Sequence, residues 1–319
     1  MRGSLAPEMV LGALPVLQAE GYGTLSLSGG EPLLYSGVEE VIRGAAKLGF
    51  RVNLITNGAP VGGRMLDLIA ESVGTVAISL DGAAERHNEI RGDARAFEWA
   101  ERAVDRLRAR KVPFGIAFGV SRESICEMPW AVEFAESKGA ALVQFHPFAP
   151  TGRGRHMVER MGLSDADKAR VFFIAGLLDS GEAPAVHLDL MPIETARDRQ
   201  NDYPILRVEE GIAASLSDLV NPLVIDEGGI MSPFGYGVNG RFAMGRLGAD
   251  LGETIAAYKQ SGWRDLRRLV EASFSSLEGG RGRFVDWFYH LVETSNRMSE
   301  EGRGLRLIQL GEVHACVVA

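Results

Sequence analysis

Short apolar runs with strand preference alternate with amphipathic segments along the first half of the chain. Five such runs occur in order, at Thr24–Leu27, residues 51–55, Thr75–Leu80, Phe114–Val120 and residues 141–145. Apolar residues recur at helical spacing before and between them, in residues 5–20, 37–48, 64–72, 94–111 and 129–138. Strands that alternate with helices of roughly 10 to 15 residues are typical of βα units. The pattern therefore predicts an α/β fold with parallel strands.

Polar residues follow these runs at the points where the predicted strands end. In parallel βα architectures the ligand site lies at the carboxyl ends of the strands. One such residue alone is more often an ordinary loop residue, but several on successive strands favour a shared site. The candidates for binding a ligand are Gly29, Gly30, Glu31, Pro32, Thr56, Asn57, Ser79, Asp81 and His146.

The most specific of these segments is the run from Ser28 to Pro32, directly after the first strand. Two adjacent glycines allow positive φ and close approach of the backbone to a ligand, and Glu31 adds a fixed acceptor. The same residues also suit an ordinary turn. We expect Glu31 to lie on an exposed strand-end turn with few packing contacts. The run resembles the Gly-Gly-Glu-Pro motif of radical S-adenosylmethionine (SAM) enzymes, and the other strand-end segments resemble that family in the same order.

The resemblance implies a partial (β/α)6 barrel of the TIM type, with SAM at its mouth. In that family the Gly29 to Pro32 motif holds the methionyl amino group of SAM, and the Thr56 and Asn57 motif lines the same cavity. Ser79 or Asp81 corresponds to a ribose contact, and His146 starts a segment that packs near the adenine. His87 and Arg91 resemble a segment of members that act on peptides. The alternative for this pair is a surface contact one helical turn apart.

Composition and charge limit the partners of the chain. Its 319 residues carry a formal charge of −8, with a sequence pI near 5.4. Such a charge disfavours nucleic acid and anionic membranes as partners. No apolar run approaches the roughly 20 residues of a membrane span, and no signal peptide is recognisable. The two cysteines, Cys126 and Cys316, indicate a reducing, cytoplasmic setting.

The pattern of the second half of the chain predicts a smaller α+β extension. The predicted domains are therefore residues 1–180 and residues 181–319. Ser164 is the predicted cap of a helix that ends near Ser180. Residues 186–190 are predicted to form a strand and residues 197–202 a loop. Residues 223–233 predict a hairpin about a Glu-Gly-Gly turn, and residues 305–318 predict another. The first hairpin resembles the start of a SPASM or twitch extension. Phe234 stands where that family has a cluster-binding cysteine, so no metal ligand is assigned.

The cysteine count conflicts with the family resemblance. Radical SAM enzymes hold a [4Fe-4S] cluster with three thiolates in Cys-x3-Cys-x2-Cys spacing, and this chain contains no such triplet. Either the chain lacks a preceding strand and its cluster loop, which is the favoured interpretation, or its lineage lost the cluster. A missing strand predicts that Thr24–Leu27 forms an unprotected sheet edge.

Three functions remain as hypotheses. The first is a radical SAM enzyme that cleaves SAM reductively to a 5′-deoxyadenosyl radical and acts on a peptide or small molecule, with an electron donor protein as possible partner. This chain alone would then be inactive. The second is a cluster-free barrel that binds SAM or a peptide. The third, an unrelated barrel enzyme such as an aldolase or isomerase, lacks a convincing lysine or paired carboxylates at the strand ends.

Overall fold

The computed structural model describes residues 5–150, 156–209, 214–278, 282–301 and 315–318. Six strands pair in parallel, each with the next along the chain, as predicted for an α/β fold. They are β1 Thr24–Leu27, β2 Arg51–Thr56, β3 Thr75–Leu80, β4 Phe114–Val120, β5 Leu142–Pro147 and β6 Ala185–Leu188. Parallel strands in chain order with helical connections form a partial barrel of the TIM type.

Helices cover one face of these strands. They are α1 Pro7–Ala19, α2 Val38–Lys47, α3 Gly63–Ser72, α4 Ala84–Arg91, α5 Ala96–Ala109, α6 Met128–Lys138, α7 Val158–Met161 and α8 Asp165–Leu178. Alternate strand residues such as Val76, Ile78 and Leu80 are buried beneath them, and Phe118 packs edge-to-face against Phe145 at 5.7 Å. In the described part of the chain, no helix combines the length and apolarity that crossing a bilayer requires.

The second half of the chain contains short strands and helices, as predicted for an α+β extension. The strands are β7 Met191–Pro192, β8 Leu223–Asp226, β9 Ile230–Pro233, β10 Gly245–Arg246, β11 Phe284–Val285 and β12 Ala315–Val318. The helices are α9 Ile193–Asp198, α10 Pro204–Arg207, α11 Leu216–Leu219, α12 Leu251–Ala257, α13 Trp263–Glu278 and α14 Trp287–Glu301. The predicted hairpin is confirmed, because β8 pairs antiparallel with β9.

The predicted loop at residues 197–202 is wrong. These residues end α9 and continue into a 3₁₀ turn at Arg199–Asp202. Ile193 and Ala196 of α9 are buried, and Arg197 donates a hydrogen bond to the Leu277 carbonyl of α13 at 2.7 Å. Tertiary packing therefore stabilises a helix that the local charge pattern disfavours.

The predicted unprotected edge at β1 is also wrong. The strand β12 pairs antiparallel with β1 on one side and with β8 on the other, so it joins the parallel strands to the hairpin in one sheet. Sequence reasoning instead placed this segment in a terminal hairpin with residues 305–310, which lie outside the described residues. The pairing of β1 with a strand about 290 positions away leaves no local signal in either segment.

A capping box starts α8, which confirms the predicted cap at Ser164. The Asp167 amide donates to Ser164 Oγ, and the Ser164 amide donates to the Asp167 carboxylate at 3.1 Å. We expect Ser164→Ala to lower the free energy of unfolding by about 1 kcal/mol. Urea denaturation measures this, with Ser36→Ala, at an exposed turn, as the control. Equal stability of the two variants would contradict a capping role.

Candidate functional site at the strand ends

The carboxyl ends of β1 to β6 lie at one edge of the sheet. Among the described residues, no helix covers one face of the strands there. Strand residues alternate between the buried, helix-covered face and this second, partly exposed face. Most residues of the second face near the strand ends are small or polar, among them Ser26, Asn53, Ser79, Ala117, Gly119, Gln144 and His146, although Ile55 also lies on it. A concave face with small side chains and a few polar groups suits a small polar ligand.

The Gly-Gly-Glu-Pro turn stands at the end of β1. Gly29 has φ +121°, which is strained for any residue with a Cβ, and both Gly29 and Gly30 are exposed. Pro32 starts a short 3₁₀ helix, Pro32–Leu34, and Glu31 is its N-terminal cap. The turn therefore presents glycine backbone to solvent at the strand end, while Glu31 points back toward the protein.

Glu31 joins the ends of β1 and β2. Its Oε1 accepts hydrogen bonds from Thr56 Oγ1 at 2.7 Å and the Leu33 amide at 3.2 Å, and its Oε2 accepts from the Asn57 amide at 2.8 Å. Burial raises the pKa of Glu31 above its usual range and outweighs these three hydrogen bonds. Sequence reasoning placed Glu31 on an exposed turn with few packing contacts, and that expectation is wrong.

The segment after β2 is held by its own polar side chains. Thr56 is buried, and its Oγ1 accepts from the Gly58 amide at 3.1 Å, while Asn57 Oδ1 accepts from the Ala59 amide at 2.9 Å. Gly58 has φ +87°, and a Cβ there would lie 3.0 Å from the Ala100 Cα of α5. This tight turn fixes the two donors that face Glu31.

Asp81, His87 and Arg91 form one cluster after β3. The Asp81 amide donates to His87 Nδ1 at 3.1 Å, and Arg91 Nε donates to Asp81 Oδ2 at 2.6 Å. Burial disfavours the charged carboxyl, but the His87 ring and the Arg91 guanidinium outweigh it, so the pKa of Asp81 is lowered. His87 is fully buried in α4, which rules out a simple surface pair with Arg91. Arg91 is about one-third exposed and remains a candidate for contact with a substrate.

Asp81 and His146 flank Gly119 at the same level of the sheet. Gly119 is paired with His146 in the β4–β5 register, and a Cβ on Gly119 would lie 2.9 Å from Asp81 Oδ1. Glycine at this position therefore leaves room for the Asp81 carboxylate. Ser79 lies two residues before Asp81 on the same face. The structure thus brings the predicted residues of β3 and β5 to one part of the edge.

Sequence reasoning missed several polar residues near this edge. Tyr236 of the extension hydrogen bonds through its hydroxyl to Ser28 Oγ at 3.0 Å, next to the glycine turn. Asp189, directly after β6, contacts His146. Asn53 Oδ1 is buried on the second face of β2 and has no hydrogen-bond partner among the described residues. Strand alternation alone would have placed Asn53 on the same face as Ser79 and His146.

The polar groups of this edge fit SAM, whereas the cysteines do not fit an iron-sulfur cluster. The exposed glycine backbone and the unpartnered Asn53 oxygen can accept from ammonium or hydroxyl groups of such a ligand. The chain has two cysteines, of which Cys126 lies exposed in a 3₁₀ turn after β4 and Cys316 lies in β12. Across the described ranges, no group of three or more His, Cys, Asp or Glu side chains could hold a metal ion.

Comparison with known proteins assigns one region of the chain to a family. The pattern of the Radical SAM superfamily matches residues 2–135, which include the glycine turn and the Asp81 cluster. The matched region belongs to the radical SAM superfamily. This chain shares 38% identity over 153 residues with an AdoMet-dependent heme synthase of Methanosarcina barkeri, covering 47% of this chain and 43% of that protein. It shares 31% identity over 156 residues with a PqqA peptide cyclase of Ruegeria pomeroyi, covering 46% and 40%.

The chain therefore spans less than half the length of these curated relatives. Among solved structures, native anSMEcpe with bound AdoMet superposes with a TM-score of 0.60 at 16% identity, over 93% of this chain and 89% of that chain. This likeness shows that this chain and anSMEcpe share a fold over most of their length.

Proposed function

We propose that this protein is the SAM-binding part of a radical SAM enzyme that acts on a peptide or small molecule. The observation that carries the proposal is the Gly-Gly-Glu-Pro turn, held by Glu31 to the end of β2 at the carboxyl edge of six parallel strands. Its occurrence in a region of the radical SAM superfamily supports SAM as the ligand. The proposed division is a barrel of residues 1–180 and an extension of residues 181–319.

Each predicted residue has a proposed role at this edge. The backbone of Gly29 and Gly30 binds the methionyl end of SAM. Glu31 and Pro32 fix the conformation of this glycine turn. Thr56 and Asn57 hold the Glu31 carboxylate through hydrogen bonds. Ser79 and Asp81 face the ribose, and His146 lies near the adenine. Arg91 faces the substrate. Its guanidinium is held by Asp81, whose backbone amide is in turn hydrogen bonded to the buried His87 ring.

SAM supplies a 5′-deoxyadenosyl radical when it is cleaved by one-electron reduction, and that radical takes hydrogen from the substrate. The chain's own contribution is to orient SAM and to shield the concave face. A [4Fe-4S] cluster would need three closely spaced thiolates, and these 319 residues contain no such triplet. An electron donor protein would have to reduce the cluster. The relatives' names support a peptide or small-molecule substrate, and the cysteine usage supports a cytoplasmic setting.

A cluster-free barrel that binds SAM or a peptide is the second candidate. Two observations favour it, namely the two distant cysteines and Phe234, which replaces the expected cluster ligand of the extension. Phe234 is buried with φ +65°, so its side chain packs in the core of the extension. The two candidates differ in whether SAM is cleaved.

The deciding experiment is an anaerobic assay of the protein produced from its own gene, after iron and sulfide reconstitution. If the gene also encodes the three cluster thiolates ahead of Met1, we expect SAM to yield methionine and 5′-deoxyadenosine in equal amounts with dithionite as reductant, whereas the 319-residue chain alone should not cleave SAM. The Glu40→Ala variant, changed at an exposed position of α2, is the control for general damage. SAM binding without cleavage would select the cluster-free barrel and contradict the enzyme proposal.

A further inference from the structure

His146 and Asp189 form a close pair at the ends of β5 and β6. His146 Nδ1 lies 2.5 Å from Asp189 Oδ2. A carboxylate can only accept at this distance, so in the neutral ring the hydrogen lies on Nδ1 and the Nε2 atom keeps its lone pair. The pairing therefore selects the tautomer in which Nε2 is a base.

Asp189 is itself fixed by β5. Gln144 Nε2 donates to Asp189 Oδ1 at 3.0 Å, and the Asp189 amide donates to the Phe145 carbonyl at 3.0 Å. Burial disfavours its charged form, but the hydrogen bond and charge of His146 outweigh this and lower the pKa of Asp189. The carboxylate thus stays ionised and keeps its orientation while the imidazole gains or loses a proton.

The other ring nitrogen of His146 is available to a ligand. The described residues place no hydrogen-bond partner on Nε2, and the side chain is 43% exposed. The ring stands on the concave face, two strands away from Asp81, with Gly119 of β4 between them. An oriented imidazole with a free lone pair at the ligand edge has the geometry of a general base.

We propose that His146 and Asp189 act as a proton-accepting dyad, in which His146 Nε2 takes a proton from an N–H, O–H or S–H group of the substrate. In this step the N–H, O–H or S–H bond breaks, its electron pair stays on the substrate atom, and a new bond forms between Nε2 and the proton. Asp189 stabilises the resulting imidazolium as a positioning residue, and water later removes the proton from the partly exposed ring. This inference rests on the proposed function, because it places a substrate at the same edge.

Three further titratable groups surround the dyad. Asp286, at the start of α14, faces both Asp189 and His146, while Lys168 of α8 faces Asp286 and His187 of β6 faces Asp189. Burial and the Asp189 charge raise the pKa of Asp286 to about 6. Asp286 is therefore largely neutral in mildly acidic solution and adds negative charge near the dyad above that range.

The test is ¹⁵N NMR of the histidine side chains in the 319-residue protein, with the His146 signals assigned from a His146→Gln variant. Above the titration of the ring, we expect Nδ1 at the upfield position of an N–H nitrogen and Nε2 at the downfield position of a lone-pair nitrogen. In Asp189→Ala the preference should be lost, and in Asp189→Asn it should be partly retained, because the amide oxygen still accepts. A wild-type ring with its hydrogen on Nε2, or a pattern unchanged in Asp189→Ala, would overturn the proposal.

The chemical reactivity of His146 Nε2 gives a second measurement. It reports whether the Nε2 lone pair is accessible, which the tautomer alone does not show. Diethyl pyrocarbonate attacks accessible imidazole lone pairs, so His146 should be modified in the wild type, at Nε2, and more slowly in Asp189→Ala. Absence of His146 modification in the folded wild type would overturn the proposal. Adding SAM separates the two proposals. A shift of the His146 signals with Nε2 still reactive supports both, loss of Nε2 reactivity when SAM is bound contradicts the dyad, and a normal dyad that does not respond to SAM contradicts the SAM site alone.

Discussion

Replacement of Glu31 with alanine is expected to lower the free energy of unfolding by about 3 kcal/mol, because three donors lose one acceptor. These donors are Thr56 Oγ1 and the amides of Leu33 and Asn57. Thr56 and Leu33 are buried, so water cannot replace the carboxylate without opening the turn. The same change should release the glycine turn from β2 and weaken any binding of SAM at this edge.

Chemical denaturation of Glu31→Ala beside Glu40→Ala measures the effect, since Glu40 is an exposed glutamate of α2. Glu31→Gln should give a smaller loss, because its amide oxygen still accepts while its NH₂ group faces a donor. If Glu31→Ala and Glu40→Ala unfold within about 0.5 kcal/mol of each other, Glu31 does not hold the ends of β1 and β2 together.

The Asp286→Asn variant is expected to be more stable than the wild type in neutral solution, by about 3 kcal/mol. Burial, with the Asp189 charge, raises the pKa of Asp286 from its usual 3.8 to about 6. Because the folded-state pKa of Asp286 is raised, protonated Asp286 favours the folded state, and this contribution is fully present below the unfolded-state pKa. It is lost as the pH rises through the folded-state pKa. Each tenfold difference in proton affinity between the folded and unfolded states corresponds to about 1.4 kcal/mol. Asparagine avoids the charge and keeps the acceptor for the Tyr289 amide.

Unfolding free energies of wild type and Asp286→Asn at about pH 4 and about pH 7.5 give the measurement. The difference between the two proteins should grow in favour of the variant between these pH values. Asp250→Asn, at the exposed start of α12, controls for changing an aspartate at a helix start. A difference that is constant with pH, or that shrinks toward neutral pH, would show that Asp286 does not carry a raised pKa.

Local pattern predicted the strands and the strand-end residues well, because both depend on short-range periodicity. Strand β3 and the cap at Ser164 occur where the sequence places them. The resemblance to radical SAM enzymes also agreed with the family and the fold. The roles of Gly29, Ser79 and the other candidate site residues remain proposals.

The relations that sequence could not supply are long-range ones. The contacts of Glu31 depend on how the ends of β1 and β2 meet, so an exposed turn was expected instead. Asp189 was hidden because residues 186–190 were predicted as one strand, whereas β6 ends at Leu188 and Asp189 turns toward His146. Asp286 joins this group from 97 positions further along the chain, which no local pattern indicates.

The central claim, that SAM binds at the carboxyl edge of β1 to β5, is tested most directly by amide NMR of the ¹⁵N- and ²H-labelled chain. Without a cluster, binding is expected to be weak, so millimolar SAM is titrated and the shifted amides are mapped. The predicted result is that shifts concentrate at Gly29, Gly30, Asn57 and Asp81, and that Glu31→Ala removes them. Shifts confined to the opposite ends of the strands, or no shifts at millimolar SAM, would contradict the claim.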